Sequence, residues 1–200
     1  MDKNLFSNEA IFQKCQSHIQ EELKRTKEEF ILEHYKKYSD PDMPPVWKTL
    51  EVITFGTLSK LYCNLKDNSI KKKIAKEFYL PQHIILENWI KCAVVLRNYL
   101  AHHARLWNRN FPIIPQTSKP FRKKWLNHQI PVTNKLYPHL CCLQYFLNSI
   151  KEDNFFKERL KVLIANHPNV DIAAMGFPAD WEKEPLWEGR ANGLVLLSPL

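Results

Sequence analysis

Residues 81–109 read PQHIILENWIKCAVVLRNYLAHHARLWNR. The first half is dominated by apolar side chains, and then, from Arg97 to Arg109, come three arginines, two adjacent histidines and two asparagines. Pro81 suits the first turn of a helix, where its missing N–H costs nothing. Phe111, Pro112 and Pro115 stop it, so the stretch predicts one helix from about Pro81 to Asn108. On such a helix, positions four, seven and eleven residues apart share a face. Counting from Asn98, His102, Arg105 and Arg109 then form one polar stripe. Leu96, Leu100, His103 and Trp107 form a second, mostly apolar one, and Arg97 points to the flank of the polar stripe.

Outward from this helix the pattern stays helical. From about Asn4 to Tyr38 the residues Phe12, Cys15, Ile19, Leu23, Phe30 and Ile31 recur at helical spacing behind a charged face, which predicts one long amphipathic helix. SDPDMPP ends it. Val46–Leu65 is apolar on nearly all sides and reads as a central helix, with Trp47 and Phe55 as core aromatics alongside Trp89 and Trp107. Gly56 inside it costs about 1 kcal/mol against Ala, which close approach of a neighbouring helix would offset. KDNSIKKKIAKEF predicts a short basic helix capped near Asn68 or Ser69. Two more helices are expected near Thr133–Lys151 and Asp153–Asn166, separated from the long helix by the proline-rich, basic segment FPIIPQTSKPFRKKWLNHQIP. The tail GFPADWEKEPLW is aromatic and irregular. Four glycines against thirteen prolines give little support to tight β-turns, and no strand is expected.

Composition sets the class. With 44% apolar and 25% charged residues in 200, the chain has the make-up of a folding domain. We read one domain, 1–200, with its core at about 4–166 and a tail from 167. The amino terminus carries no secretory signal, and no apolar run reaches the roughly 20 residues that span a bilayer. Five cysteines without Cys-x-x-Cys spacing fit a reducing cytoplasm and offer no zinc site. Cys141 and Cys142 read as buried thiols, His128 and His139 as surface or loop histidines. The net charge is +8, and no acidic residue occurs between Glu87 and Glu152 while ten lysines and arginines do. That asymmetry points to a polyanionic partner, bound with release of counterions.

The chemistry of 97–109 narrows the partner. Histidine exchanges protons near neutral pH, and arginine grips phosphate through a planar fork. Together they supply the base, the acid and the cation needed for RNA cleavage by the neighbouring 2′-hydroxyl. No metal or cofactor is called for. The plain alternative is a solvated helix end whose basic residues meet the helix dipole.

RNYLAHHARLWNR resembles the signature of the Abi-like proteins of bacterial abortive infection, the AbiD and AbiF group, within the HEPN superfamily of helical ribonucleases. Arg97, Asn98 and His102 match an Arg–polar–x3–His pattern; His103 matches with one more intervening residue. PPVWKTLEVITFGTLSKLY before the motif and MGFPADWEKEPLW after it extend the similarity. The resemblance implies an all-α, HEPN-like helical bundle, metal-independent endoribonuclease activity, and two motif copies meeting across a homodimer. It also implies that relatives carry a further helical N-terminal half. Arg97 would then hold the scissile phosphate and His102 act as acid and base. Asn98 would orient His102 or the ribose, and His103 would be a second acid/base or a structural neighbour. Arg105, Arg109, Lys119, Arg122, Lys123 and Lys124 would bind flanking RNA, and Trp125 would stack on a base. An antitoxin protein or a regulatory RNA is a further expected partner. The rival expectation is a non-catalytic RNA-binding or partner-binding module.

Overall fold

The computed structural model describes residues 1–41, 43–117, 120–127 and 133–188. Among these residues the chain is all-α: α1 Glu9–Arg25, α2 Glu29–Lys37, α3 Val46–Val52, α4 Phe55–Asn64, α5 Asn68–Glu77, α6 His83–Ala101, α7 Leu136–Ile150 and α8 Phe156–Ala165. Short 3-10 turns cover Lys3–Leu5, Ala173–Met175 and Trp181–Lys183, and a single bridge joins Phe6 to Leu65. Among the described residues, no helix is long and apolar enough to cross a membrane.

Local chemistry explains most boundaries. Asn8 caps α1 by accepting from the Ile11 N–H, and Phe12, Cys15, Ile19 and Leu23 form its buried stripe. The long helix expected over Asn4–Tyr38 is two helices, because Thr26 is extended and its Oγ1 accepts from the Glu28 N–H. The helix expected over Val46–Leu65 is likewise divided: Ile53 closes α3, and Thr54 caps α4 by accepting from Thr57 at 3.1 Å. Asp67, rather than Asn68 or Ser69, caps α5, with Oδ1 2.6 Å from the Ser69 N–H.

Around α6 lie α4, α5 and α7, while α1 packs on α3 and α4, and α8 on α7. The main core is aromatic. Trp89 of α6 is fully buried and stacks on Phe121 and Trp125, with Tyr145 and Phe146 of α7 set edge-on to it. The tail is not peripheral: Phe177, Trp181, Leu186 and Trp187 are buried beside Tyr137, whose hydroxyl accepts from the Trp187 indole at 3.2 Å. A second cluster of Cys15, Ile19, Leu23, Ile31 and Leu61 holds α1, α2 and α4 together.

Hydrogen bonds fix the start of the proline-rich segment to this core. Asn88 and Trp89 bond the backbone of Ile114 and Gln116, and His139 of α7 sets Nε2 3.0 Å from the Ile113 carbonyl. His139 is therefore a buried helical residue, not a surface one. Lys71 of α5 is equally enclosed, donating to the Cys63 carbonyl at 2.8 Å and pairing with Glu87 at 3.0 Å. Trp47, in contrast, is 68% exposed, and Phe55 and Trp107 also reach the surface, so of the four expected core aromatics only Trp89 is fully enclosed. Gly56 faces no close neighbour: an added Cβ would stand 3.7 Å from Thr54 Oγ1 and 3.9 Å from Val94 Cγ1, ordinary contact distances. Close helix packing therefore does not explain this glycine.

Candidate functional site at the end of α6

The site begins where α6 ends. His102 is the C-cap, His103 has φ of 50°, and the Ala104 N–H reaches back to the Tyr99 carbonyl at 2.9 Å while that of His103 reaches Leu100 at 3.0 Å. This pair of bonds is a Schellman closure with histidine in the left-handed position where glycine is usual. Histidine is among the side chains that enter that region more often than most. The helix therefore stops at Ala101 instead of Asn108. The expected stripe of Asn98, His102, Arg105 and Arg109 does not exist as a helical face, nor does that of Leu96, Leu100, His103 and Trp107.

What the turn brings together is different. Arg97 and Asn98 occupy the last turn of α6, both exposed, and the Arg97 guanidinium donates to Asn98 Oδ1 at 3.3 Å. His102 follows one turn after Asn98, its N–H donating to the Asn98 carbonyl at 3.1 Å, and it too is exposed. His103 is exposed, with its backbone committed to closing the helix. Arg109 folds back: Nε donates to the Arg105 carbonyl at 2.7 Å, and the guanidinium lies 4.3 Å over the ring of Tyr99. That shelf was not legible in the sequence, because Tyr99 and Arg109 meet only once the chain has turned. The Arg105 guanidinium stands 6.0 Å from the Trp107 ring, and the Trp107 indole donates to the Asp171 carbonyl. Arg97 and, over Tyr99, Arg109 thus set two cationic side chains at one exposed helix end, where the dipole also favours positive charge.

The second set of expected contacts lies elsewhere. Phe121 and Trp125 anchor their loop on Trp89, about 12 Å along α6 from Arg97. Trp125 is only 7% exposed, so its ring is part of the core and offers no face to a base. Lys123 donates to the Asn148 carbonyl and covers the Tyr79 ring at 4.5 Å; Lys124 pairs with Glu188 at 3.1 Å. Arg122 is exposed, and Lys119 lies outside the described residues. Cys141 and Cys142 are buried thiols, both pushed well above the usual thiol range by burial. Among the described residues, no three His, Cys, Asp or Glu side chains gather as a metal-holding group.

Fold and site together define an all-α helical bundle that presents an arginine- and histidine-bearing surface at the C-terminal end of its central helix. A family model described as Abi-like protein matches residues 1–108, and the chain belongs to that family. Membership places it, in general terms, with abortive infection and defence against phage. The match takes in PPVWKTLEVITFGTLSKLY and the Arg97–His102 motif and ends at Asn108, so the block from Met175 to Trp187 lies beyond it. No curated protein and no solved structure matches the chain.

Proposed function

We propose that the protein is a metal-independent endoribonuclease of the HEPN type, acting in the cytoplasm during phage defence. The observation that carries this reading is the exposed cluster at the end of α6, with Arg97 bonded to Asn98 and His102 one turn on. In the proposed reaction the 2′-hydroxyl of RNA loses its proton to a histidine base and attacks the adjacent phosphorus. The bond to the 5′-oxygen breaks, that oxygen takes a proton from a second acid, and a 2′,3′-cyclic phosphate remains. Arg97 offsets the charge that builds on the phosphate. Asn98 holds the guanidinium through the bond already present, and His102 serves as the proton-transfer group.

One chain offers His102 as a clear proton carrier, whereas the reaction needs a base and an acid on opposite sides of the phosphate. A homodimer that apposes two α6 ends supplies both and doubles the positive charge facing the RNA. His103 is assigned the structural role of closing the helix. An antitoxin protein or regulatory RNA would act by covering this end of α6.

Incubation of the purified protein with labelled total RNA, with and without EDTA, tests the reading. Cutting should survive the chelator and leave cyclic phosphate ends, and Arg97→Ala or His102→Ala should abolish it while His103→Gly still cuts. Wild type mixed with His102→Ala should lose activity faster than the wild-type fraction falls. Strict magnesium dependence, or binding without any cleavage, rejects the mechanism.

A further inference from the structure

Beside α6 runs a cleft of about 440 Å³ between α1, α4 and the segment that follows the site helix. Its apolar walls are Ile11, Val94, Val95 and Ile113; Lys60 and Lys91 stand among its lining residues, and no acidic side chain is among them. Both lysines are exposed, and among the described residues neither forms an ion pair. Glu21 and Glu22 line an adjoining hollow that shares Gly56 and Lys60, and Glu22 is already paired with Arg25. The cleft also points somewhere. Lys91, Val95 and Asn98 are spaced four and seven residues apart, hence on one face of α6, and Val94 lies only about 6 Å along the axis from Asn98.

We infer that this cleft is a nucleotide subsite, which takes a base of single-stranded RNA between its apolar walls and the flanking phosphates on Lys60 and Lys91. The inference rests on the reading of the α6 end as a site that handles RNA, and names where the strand goes beyond the scissile phosphate. A strand that reaches Asn98 and Arg97 along α6 passes over the cleft. The combination of apolar walls with two lysines that form no ion pair among the described residues fits a base joined to phosphates. An apolar peptide would leave both lysines without partners, and an inorganic anion would leave the walls empty.

Cys63 supplies the probe, because it lines the cleft and is partly exposed while the other four cysteines are buried. The rate of Cys63 alkylation is measured by peptide mass spectrometry in full-length His102→Ala protein, which keeps the RNA uncut. A short single-stranded RNA at ten times its Kd should slow alkylation about tenfold by mass action, and added salt should reverse the effect. Lys60→Glu with Lys91→Glu should remove the protection, and so should Gly56→Phe, whose Cβ meets only ordinary contacts and whose ring would fill the groove. Circular dichroism checks that each variant folds, and if the double charge reversal does not, Gly56→Phe decides alone. RNA that is cleaved by wild type but leaves Cys63 unprotected overturns the subsite and spares the nuclease. Protection of Cys63 without cleavage by wild type does the reverse. Equal protection by an acidic peptide, or protection that persists in the variants, overturns the nucleotide assignment.

Discussion

Replacing Trp125 by Ala separates a core role from a recognition role at a residue whose sequence context, FRKKWLNH, suggests contact with RNA. In the fold its ring is 7% exposed, with ring centroids of Phe121 at 4.5 Å, Trp89 at 5.3 Å and Tyr145 at 5.6 Å. Truncating a buried tryptophan costs about 3–5 kcal/mol in lost transfer energy and cavity formation. Each lost aromatic pair adds about 0.5–1.5 kcal/mol where the neighbours cannot close the gap. Taking about 4 kcal/mol against a urea slope of about 2 kcal/mol per molar gives a midpoint about 2 M lower. Urea unfolding followed by circular dichroism reads that shift, and Trp125→Phe, which keeps a ring in place, should lower the midpoint by less than half as much. RNA affinity of the folded fraction should be unchanged, since the ring presents no free face. A midpoint within about 0.3 M of wild type, combined with weakened RNA binding, would refute the placement of Trp125 in the core.

Three further outcomes follow from the geometry. Gly56→Ala should stabilise the protein by about 0.4–1 kcal/mol, since the new methyl finds ordinary contacts and the unfolded chain loses freedom; a lower urea midpoint would contradict this. Lys71→Met should destabilise by about 3–5 kcal/mol because it leaves Glu87 half-enclosed without its partner, and Lys71→Met with Glu87→Leu should recover most of that, as a double-mutant cycle in urea would read. His139 makes stability depend on pH: burial pushes its imidazole below the ordinary value, and hydrogen bonds to the Lys135 and Ile113 carbonyls work against that shift. A folded value below the unfolded one means that the unfolded chain binds more protons. Stability is then fully present above the unfolded value and falls as pH drops below it, by at most about 1.4 kcal/mol per pH unit. His139→Gln should show a smaller loss between pH 7.5 and 5.5, and an equal loss would remove His139 as the cause.

The sequence alone determined the all-helical class of this fold. Apolar residues at helical spacing, prolines between the runs and scarce glycine predict helices and no strands, because each signal is local and acts within a turn or two. Phe12, Cys15, Ile19 and Leu23 are one such stripe, and all four are buried. Arg97, Asn98 and His102 were legible for the same reason, being neighbours along the chain as well as in space. The tertiary structure decided everything that depends on where the chain goes next. Nothing in AHHARLWN announces that His103 turns left-handed; the Phe111 N–H bonds to the Asn134 carbonyl and its side chain enters the core, so the backbone must leave the helix axis after Ala101. With that turn the polar stripe is lost and the Tyr99 shelf under Arg109 is gained. Trp47 and Trp125 exchange their expected places, one to the surface and one to the interior, because an apolar side chain is buried only if another element arrives to cover it. Which element arrives is fixed by contacts distant in sequence, such as Trp125 on Trp89, and no local period encodes them.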